Sequence, residues 1–450
     1  MKHQLSALIL FYLRFFARRA LARHTLQIIG IAGSVGKSST RNAVEAILKD
    51  HFSVLSVGNS ETGIPLGILG LNPSAYSLFE WIRFCALAPF RIDHIKGVKY
   101  LITEMGIDDP YPPKNMSYLL SILKPDIALS LNISATHTEQ FEKILTHEDK
   151  STLSPASLHD KVLDAIGKED TKIITESGCS VGIYNADDLI VTRYVKTSPT
   201  PLLSFGKSKV NDISYISYTV SPKGTIFVMH DNKEKQDIIL SFPMFLLPEV
   251  YREVLAAAIL TTKQTGLTQK QITTSLQENF SLPKGRSSLF HGIHETLLID
   301  STYNASQVAT TAFLDLVEKL KNDTKRLIVF VFGDMRELGA ESEQEHIAVA
   351  KKLVGTVDYL YLVGPQTREY VLPYVQDHEY KFTEIRWFDS AKRVGEFLKD
   401  SLPKKAIVLF KGSQNTIYLE EAIKYVLTDK TDAKKLCRQD PYWLKRKQGP

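Results

Sequence analysis

The segment GSVGKSS at residues 33–39 constrains the fold of this 450-residue chain more than any other part of it. The apolar run 27–32 before it is typical of a buried strand, and residues 41–48 after it have helical character. Glycines in such a turn let backbone N–H groups point at phosphate oxygens, and the start of the helix adds a favourable field. The short pattern GxxGK[ST] is met, although Ile31 stands where the longer GxxxxGK[ST] pattern has its first glycine. The segment therefore predicts a phosphate-binding loop.

Polar residues near this loop indicate what it binds. In such loops the lysine, here Lys37, reaches the β- and γ-phosphates, and the hydroxyl, here Ser38, holds Mg²⁺. Glu104 ends the apolar run 98–103, at the rim of a parallel sheet where such folds bind ligands, so it is a further candidate for Mg²⁺. His137 follows the run 127–131 at the same rim and is a candidate second ligand, although a lone histidine is more often structural.

Short apolar runs alternate with helical segments along most of the chain, which predicts an α/β fold. We expect a central phosphate-loop domain with a parallel sheet, carrying an antiparallel attachment formed by the alternating segments 213–220, 224–230 and 236–241. A Pro- and Gly-containing linker at 281–288 leads to a smaller, Rossmann-like α/β domain. Other strands are predicted at 172–175, 181–184, 296–300, 327–332, 359–363, 385–388 and 406–410, and helices at 250–264, 309–321, 342–354, 390–400 and 417–427.

The composition excludes several classes of protein. With 44% hydrophobic and 23% charged residues, disorder and coiled coil are poor descriptions of the whole chain. Cys85, Cys179 and Cys437 lie far apart, which disfavours a disulfide scaffold or a zinc knuckle and suits a reducing compartment. The basic excess lies in residues 1–24 and 430–450, so the slightly acidic body argues against a nucleic-acid partner.

The N-terminal 25 residues are predicted to form a basic amphipathic helix. The apolar run 5–13 is too short to cross a bilayer, and most of the charges follow it, unlike those of a signal peptide. The helix would pack on the body or lie on an anionic membrane face. We expect domains at 1–25, 26–283 and 284–429 and a basic tail at 430–450, which would be solvated, packed or in contact with a membrane or partner.

The order and spacing of eight segments resemble those of the Mur ligases over about residues 26–425. YNA and GDMxELG most resemble the branch that joins D-alanyl-D-alanine to UDP-N-acetylmuramoyl-tripeptide. The segments are GSVGKSS (33–39), TEMG (103–106), LNISATH (131–137), NADD (185–188), KGR (284–286), IDSTYNAS (299–306), FGDMRELG (332–339) and FKGS (410–413).

The resemblance implies roles for individual residues. Ser38 and Glu104 would bind one Mg²⁺, and His137 with Lys161 a second; in this family the matching lysine is commonly carbamylated. Arg286 would be catalytic, and Lys411 with Ser413 would lie near the incoming amino acid or the phosphates. The residues that would bind ATP are Gly33, Ser34, Val35, Gly36, Lys37, Ser38, Ser39, Asp300, Tyr303 and Asn304, with Arg286 and the last three closing over the nucleotide from the C-terminal domain.

The implied activity is ATP-dependent formation of an amide in peptidoglycan precursor synthesis. The peptide carboxylate of a nucleotide-linked substrate would attack the γ-phosphate, and an amino acid or dipeptide amine, D-alanyl-D-alanine above all, would displace phosphate from the acyl phosphate. Domain closure would keep water from that intermediate. We expect a cytoplasmic monomer with ATP and Mg²⁺ as cofactors, peripheral membrane contact through residues 1–24 and no nucleic-acid partner.

Departures from the family pattern leave alternatives open. The phosphate loop begins at Gly33, which leaves no room before it for the separate UDP-binding domain of the family, and residues 248–253 (PEVYRE) replace the segment that usually supplies an adenine-binding Asn. Gln307 and Gln414 replace an expected proline and arginine. The alternatives are a ligase of the same superfamily for a folate-type or polyamino-acid acceptor, and an inactive, nucleotide-binding scaffold associated with the membrane.

Overall fold

The computed structural model of the protein describes residues 2–73, 77–134, 138–243, 245–336, 338–377, 382–413 and 417–447. The chain forms two compact units that interleave along the sequence. The first unit holds residues 1–217, 228–239 and 252–280, and the second holds 218–227, 240–251 and 281–450. The expected boundary at residue 283 stays a prediction.

The first unit is built on a sheet whose strands are short and apolar. β1 carries the burial pattern of a strand covered on both faces, because every residue after Gln27 is buried. The first part of the chain contains α1 (Lys2–Arg23), β1 (Gln27–Ala32), α2 (Lys37–Leu48), β2 (Val54–Val57), α3 (Gly63–Ile68), α4 (Leu78–Leu87), β3 (Tyr100–Glu104), α5 (Met116–Ile122), β4 (Ile127–Ser130), α6 (Thr138–Phe141), α7 (His147–Thr152), α8 (Pro155–Asp170), α9 (Lys172–Thr175), β5 (Val181–Asn185), α10 (Leu189–Val195) and β6 (Leu202–Gly206).

Three longer strands and two helices follow. Only two residues connect the first pair of strands, so these neighbours run antiparallel, as the alternating pattern predicts. Among the described residues, the sheet has nine strands in the order β2-β3-β1-β4-β5-β6-β7-β8-β9, and β3, β1, β4 and β5 pair in parallel. The added elements are β7 (Ile213–Ser221), β8 (Gly224–Asp231), β9 (Gln236–Pro243), α11 (Tyr251–Lys263) and α12 (Gln269–Asn279).

The second unit contains a six-stranded sheet within the described part of the chain, in the order β10-β11-β15-β12-β13-β14. β10 is antiparallel to β11 and the other pairs are parallel, with an apolar cluster on each face. Its elements are β10 (Ser288–Gly292), β11 (Thr296–Ser301), α13 (Gln307–Thr324), β12 (Ile328–Gly333), α14 (Ser342–Leu353), β13 (Tyr359–Val363), α15 (Leu372–Asp377), β14 (Glu384–Phe388), α16 (Ala391–Ser401), β15 (Ile407–Lys411), α17 (Glu420–Val426) and α18 (Pro441–Lys447).

One predicted strand is wrong, because residues 172–175 form the helical turn α9. Thr171 ends α8 in a helical backbone conformation, so the chain continues into another turn. Ile173 and Ile174 are buried there, which satisfies the same apolar pattern that a buried strand would have. A four-residue segment with two adjacent apolar residues does not by itself distinguish the two structures.

Candidate functional site

The phosphate loop lies between β1 and α2 and depends on two glycines. Gly33 and Gly36 have φ of +135° and +92°, which side-chain-bearing residues rarely adopt. A Cβ on Gly33 would also lie 2.9 Å from the Cβ of Leu131. Gly36 is the N-cap of α2 and no side chain caps the helix there, so the first turn, with Ser38 and Ser39, offers backbone N–H groups to a ligand.

The phosphate loop is hydrogen-bonded to the segment that follows β4. The Ser34 N–H donates to the carbonyl of Asn132 at 2.7 Å, and the Val35 N–H donates to the Asn132 side-chain oxygen at 3.0 Å. The Ser34 hydroxyl donates to the Ser134 carbonyl at 3.2 Å and accepts from the Ser134 N–H at 2.9 Å. These bonds connect the loop to the LNIS part of the family-like segment.

The phosphate loop also bonds to a buried carboxylate, that of Asp170, which was not predicted from the sequence. Asp170, at the end of α8, accepts from the Gly33 N–H at 3.1 Å and from the Ser130 hydroxyl at 3.4 Å. Burial raises the pKa of Asp170 to about 7, and the nearby charge of Lys37 opposes the rise. Asp170 is 137 residues from Gly33 in sequence, so no local pattern could have indicated this contact.

Lys37 is half-buried and folds back over the loop. Its Nζ donates to the carbonyl of Gly33 and, at 3.3 Å, to that of Ser34. A phosphate would offer this ammonium group a charged acceptor in place of two neutral carbonyls.

The structure brings Ser38 and Glu104 together at the rim of the sheet, and their shared metal site stays a prediction. The Ser38 hydroxyl donates to Glu104 Oε2 at 2.8 Å. Arg41, one turn further along α2, pairs with Glu104 Oε1 at 2.8 Å. Arg41, which was not predicted as a site residue, thus occupies one of the two carboxylate oxygens of Glu104.

The described structure does not test the predicted second metal pair, His137 and Lys161. His137 lies outside the described residues. Lys161 is exposed on α8, where its Nζ pairs with Asp149 Oδ1 at 2.6 Å. The hydrogen bond from Lys161 lowers the pKa of Asp149 to about 2. The role of Lys161 as a metal-binding carbamate stays a prediction.

In the second unit, the predicted nucleotide-binding residues lie just before β10 (Arg286), in β11 (Asp300) and on the loop between β11 and α13 (Tyr303 and Asn304). Asp300 is fully buried; its Oδ1 accepts from the Thr302 N–H at 3.0 Å and hydroxyl at 2.7 Å, while Oδ2 has no hydrogen-bond partner among the described residues. Burial raises the pKa of Asp300 to about 6. Arg286 lies over the Tyr303 ring at 4.7 Å, and Asn304 is exposed beside them. An exposed cation, a half-buried aromatic ring and an exposed amide therefore lie together at this end of the unit.

Lys411 and Ser413 hold this loop from within the unit. The buried Lys411 Nζ donates to the Asn304 carbonyl at 2.9 Å and to the Ser301 hydroxyl at 3.3 Å. Burial, with the charge of Arg286, lowers the pKa of Lys411 to about 7. The Ser413 hydroxyl donates to the Ala305 carbonyl at 3.2 Å. Both predicted substrate residues thus contact protein groups of residues 301–305.

The described part of the C-terminal tail packs on the same loop. No residue of the tail was among the predicted site residues. Arg438 donates to the carbonyls of Thr302 at 2.8 Å and Tyr303 at 3.1 Å. It also forms a two-pronged ion pair with Glu420, at 2.8 and 2.6 Å, and both side chains are buried. Lys447 adds a second cation to Glu420 at 2.7 Å.

The residues present fit a magnesium nucleotide. Across the described ranges, no group of three or more His, Cys, Asp or Glu side chains is arranged to hold a metal ion. Mg²⁺, however, is commonly bound by one or two carboxylates together with substrate phosphates. Ser38 and Glu104 supply such oxygen donors beside the loop. In the second unit, Asp300 Oδ2 is a buried acceptor that has no donor within the described part of the chain.

Taken unit by unit, the fold and these groups define a phosphate-loop α/β protein of the nucleotide-dependent ligase class. Two family models match the chain: the Mur ligase middle domain over residues 31–149 and the Mur ligase glutamate ligase domain over residues 285–414. The chain belongs to the Mur ligase family, which confirms the resemblance seen in its sequence.

Known relatives agree with this assignment. The chain is 25% identical over 401 residues to the UDP-N-acetylmuramoyl-tripeptide--D-alanyl-D-alanine ligase of Rickettsia prowazekii, covering 89% of this chain and 78% of that protein. It is 26% identical over 352 residues to the ligase of the same name from Escherichia coli, covering 76% and 65%.

Solved structures show the same fold. The MurF ligase from Thermotoga maritima, solved in complex with ADP, aligns with a TM-score of 0.69 at 21% identity, covering 95% of this chain and 84% of that one. A mutant of the L. casei protein FPGS aligns with a TM-score of 0.58 at 17% identity, covering 94% and 95%. The predicted α/β fold class is confirmed.

Proposed function

We propose that this Mur ligase is an ATP-dependent amide ligase of peptidoglycan precursor synthesis, which joins D-alanyl-D-alanine to UDP-N-acetylmuramoyl-tripeptide. The ligase class is that of the family, and the two reactants are those in the names of the relatives. The observation that carries the proposal is the phosphate loop with Lys37 above it and the Ser38–Glu104 pair beside it.

The chain's own residues fit the activation of a carboxylate by ATP. The glycine loop and the start of α2 would bind the phosphates, and Lys37 would turn from the loop carbonyls to the transferred γ-phosphate. Ser38 and Glu104 would hold Mg²⁺, which supplies charge neutralisation when bound. Arg286, Asp300, Tyr303 and Asn304 are proposed to bind the nucleotide, and Lys411 with Ser413 to support the loop that carries them. Attack of the peptide carboxylate releases ADP, and attack of the amine on the acyl phosphate releases phosphate.

Further properties stay predictions. Cys85, Cys179 and Cys437 are free thiols, which supports a reducing compartment such as the cytoplasm. Within the described residues, no helix has the length and apolar character needed to cross a membrane. A monomeric state, peripheral membrane contact through residues 1–24 and a second Mg²⁺ at His137 and Lys161 are parts of this proposal that need their own tests.

A phosphate-release assay tests the proposed function. We expect release that requires ATP, UDP-N-acetylmuramoyl-tripeptide and D-alanyl-D-alanine together. Lys37→Ala should lower the rate by about 10²–10³-fold, because it removes a positive charge that stabilises the negative charge of the transition state. Lys49→Ala, at the other end of α2, is the matched control and should keep the rate. If phosphate release does not depend on the dipeptide, the proposed reactants are wrong. Parallel reactions with a folate acceptor and glutamate would test the main alternative.

A further inference from the structure

The N-terminal helix α1 has two apolar faces, and only one of them is used by the fold. Leu13, Ala17 and Ala20 are completely buried in the core of the first unit. Leu8, Phe11 and Phe15, spaced by three and four residues, lie on another face and are exposed, Leu8 by 64%. A helix that only packed on the body would have polar residues there.

A second exposed apolar face lies on the neighbouring helix α4 and the 3-10 turn Ala88–Phe90 that follows it. Phe84 and Ala88 point into the same core. Phe79 is 76% exposed and Phe90 is 82% exposed, with Leu78 and Ile82 exposed on the same segment. Because α1 contacts both α4 and this turn, the two exposed faces belong to neighbouring elements of the first unit. We call them together the two-helix surface.

The charges around the two-helix surface are basic. Arg18 and Arg19 are exposed on α1, and Arg83 and Arg91 are exposed on or just after α4. The acids of these segments are engaged: Glu80 is buried in a capping box with Ser77, and Asp93 pairs with Arg23 at 3.2 Å. Exposed apolar side chains accompanied by exposed arginines on the same elements are complementary to the acyl chains and anionic headgroups of a bilayer.

We propose that the two-helix surface binds an anionic lipid bilayer, with α1 and α4 lying in the plane of the membrane. This goes beyond contact through residues 1–24, because α4 contributes the more exposed side chains. A second copy of the chain is a poorer occupant, since a symmetric dimer through this surface would bring two basic rims together. The inference does not depend on the proposed ligase activity, because lipid binding is measured without substrates.

Vesicle flotation tests the proposal with the full-length protein. The protein should float with phosphatidylcholine vesicles that contain phosphatidylglycerol, and much less with phosphatidylcholine alone or at high salt. Phe79→Glu with Ile82→Glu, and separately Phe11→Glu with Phe15→Glu, should each weaken binding by about tenfold or more. Leu189→Glu is the matched control, since Leu189 is 79% exposed on α10 of the same unit and should leave flotation unchanged. Deleting α1 is avoided because the helix supplies core residues.

Several results would overturn the proposal. They are failure of the unmodified protein to float with anionic vesicles, equal flotation with neutral vesicles, and normal flotation of the α4 double variant. Concentration-dependent dimerisation that the same double variant abolishes would instead assign the surface to a second copy. Thermal unfolding of each variant shows whether the exposed substitutions leave the fold intact. If the unmodified protein floats with anionic vesicles but has no ligase activity, only the proposed function is refuted.

Discussion

The phosphate loop at 33–38 and the loop at 301–306 are stabilised in different ways. Around the first, Lys37 and Arg41 are partly exposed; a nucleotide could replace the carbonyl partners of Lys37, and a metal could replace Arg41 as the partner of Glu104. Around the second, Lys411, Glu420 and Arg438 are buried, and two of them donate to the loop's own carbonyls. The difference indicates that the first site can exchange partners with a ligand, whereas the second is a fixed support for the residues that face solvent.

The largest expected effect comes from breaking the support of the second loop. Arg438→Ala leaves Glu420 buried with Lys447 alone and removes two donors from the loop carbonyls, so it should lower the free energy of unfolding by about 3–5 kcal/mol. Urea denaturation measures this loss. Lys435→Ala, an exposed lysine of the same tail, is the control and should change little. A small effect for Arg438→Ala would show that the tail does not support the loop.

Lys411 predicts a stability that rises with pH. The folded-state pKa of about 7 lies below the ordinary 10.5, so the unfolded chain binds the extra proton between these values. Relative to Lys411→Met, the unmodified protein should therefore gain up to about 4 kcal/mol as pH rises from 7 to 10.5. Paired urea titrations across this range measure the difference. A constant difference would mean that the buried ammonium group keeps its charge.

The buried Asp170 in the first unit should make the free energy of unfolding fall as pH rises, the opposite of the effect of Lys411. Its folded-state pKa of about 7 lies above the ordinary 3.8, so the stability from its protonated form is lost as pH rises through 7. Between pH 5 and 7, the unmodified protein should lose about 2 kcal/mol relative to Asp170→Asn. Asparagine can still accept from the Gly33 N–H, so the comparison isolates the charge. Parallel pH profiles for both proteins would contradict this explanation.

The sequence was most informative where structure is determined locally. The phosphate loop, β1 and α2 follow from a compact motif, and most parallel strands follow from short apolar runs, because a strand covered on both faces has few polar residues. Asp170 and Arg438 were not predicted, because their roles depend on contacts with residues more than a hundred positions away. The turn at 172–175 was assigned to the wrong structure because a short apolar run suits a buried helix equally well.

The smallest predicted effect concerns Arg41. Its substitution tests whether Arg41 only compensates the charge of Glu104 in the absence of a metal or takes part in binding. In the structure its guanidinium neutralises Glu104. Arg41→Ala would free Oε1 for a cation, so the Mg²⁺ concentration needed for ADP binding should fall by about fivefold, which corresponds to about 1 kcal/mol. Calorimetric titration with ADP at several Mg²⁺ concentrations measures the change, and Lys49→Ala on the same helix is the control. A rise in the Mg²⁺ requirement would show that Arg41 instead helps to bind the nucleotide, and would weaken the proposal that partners are exchanged at the first loop.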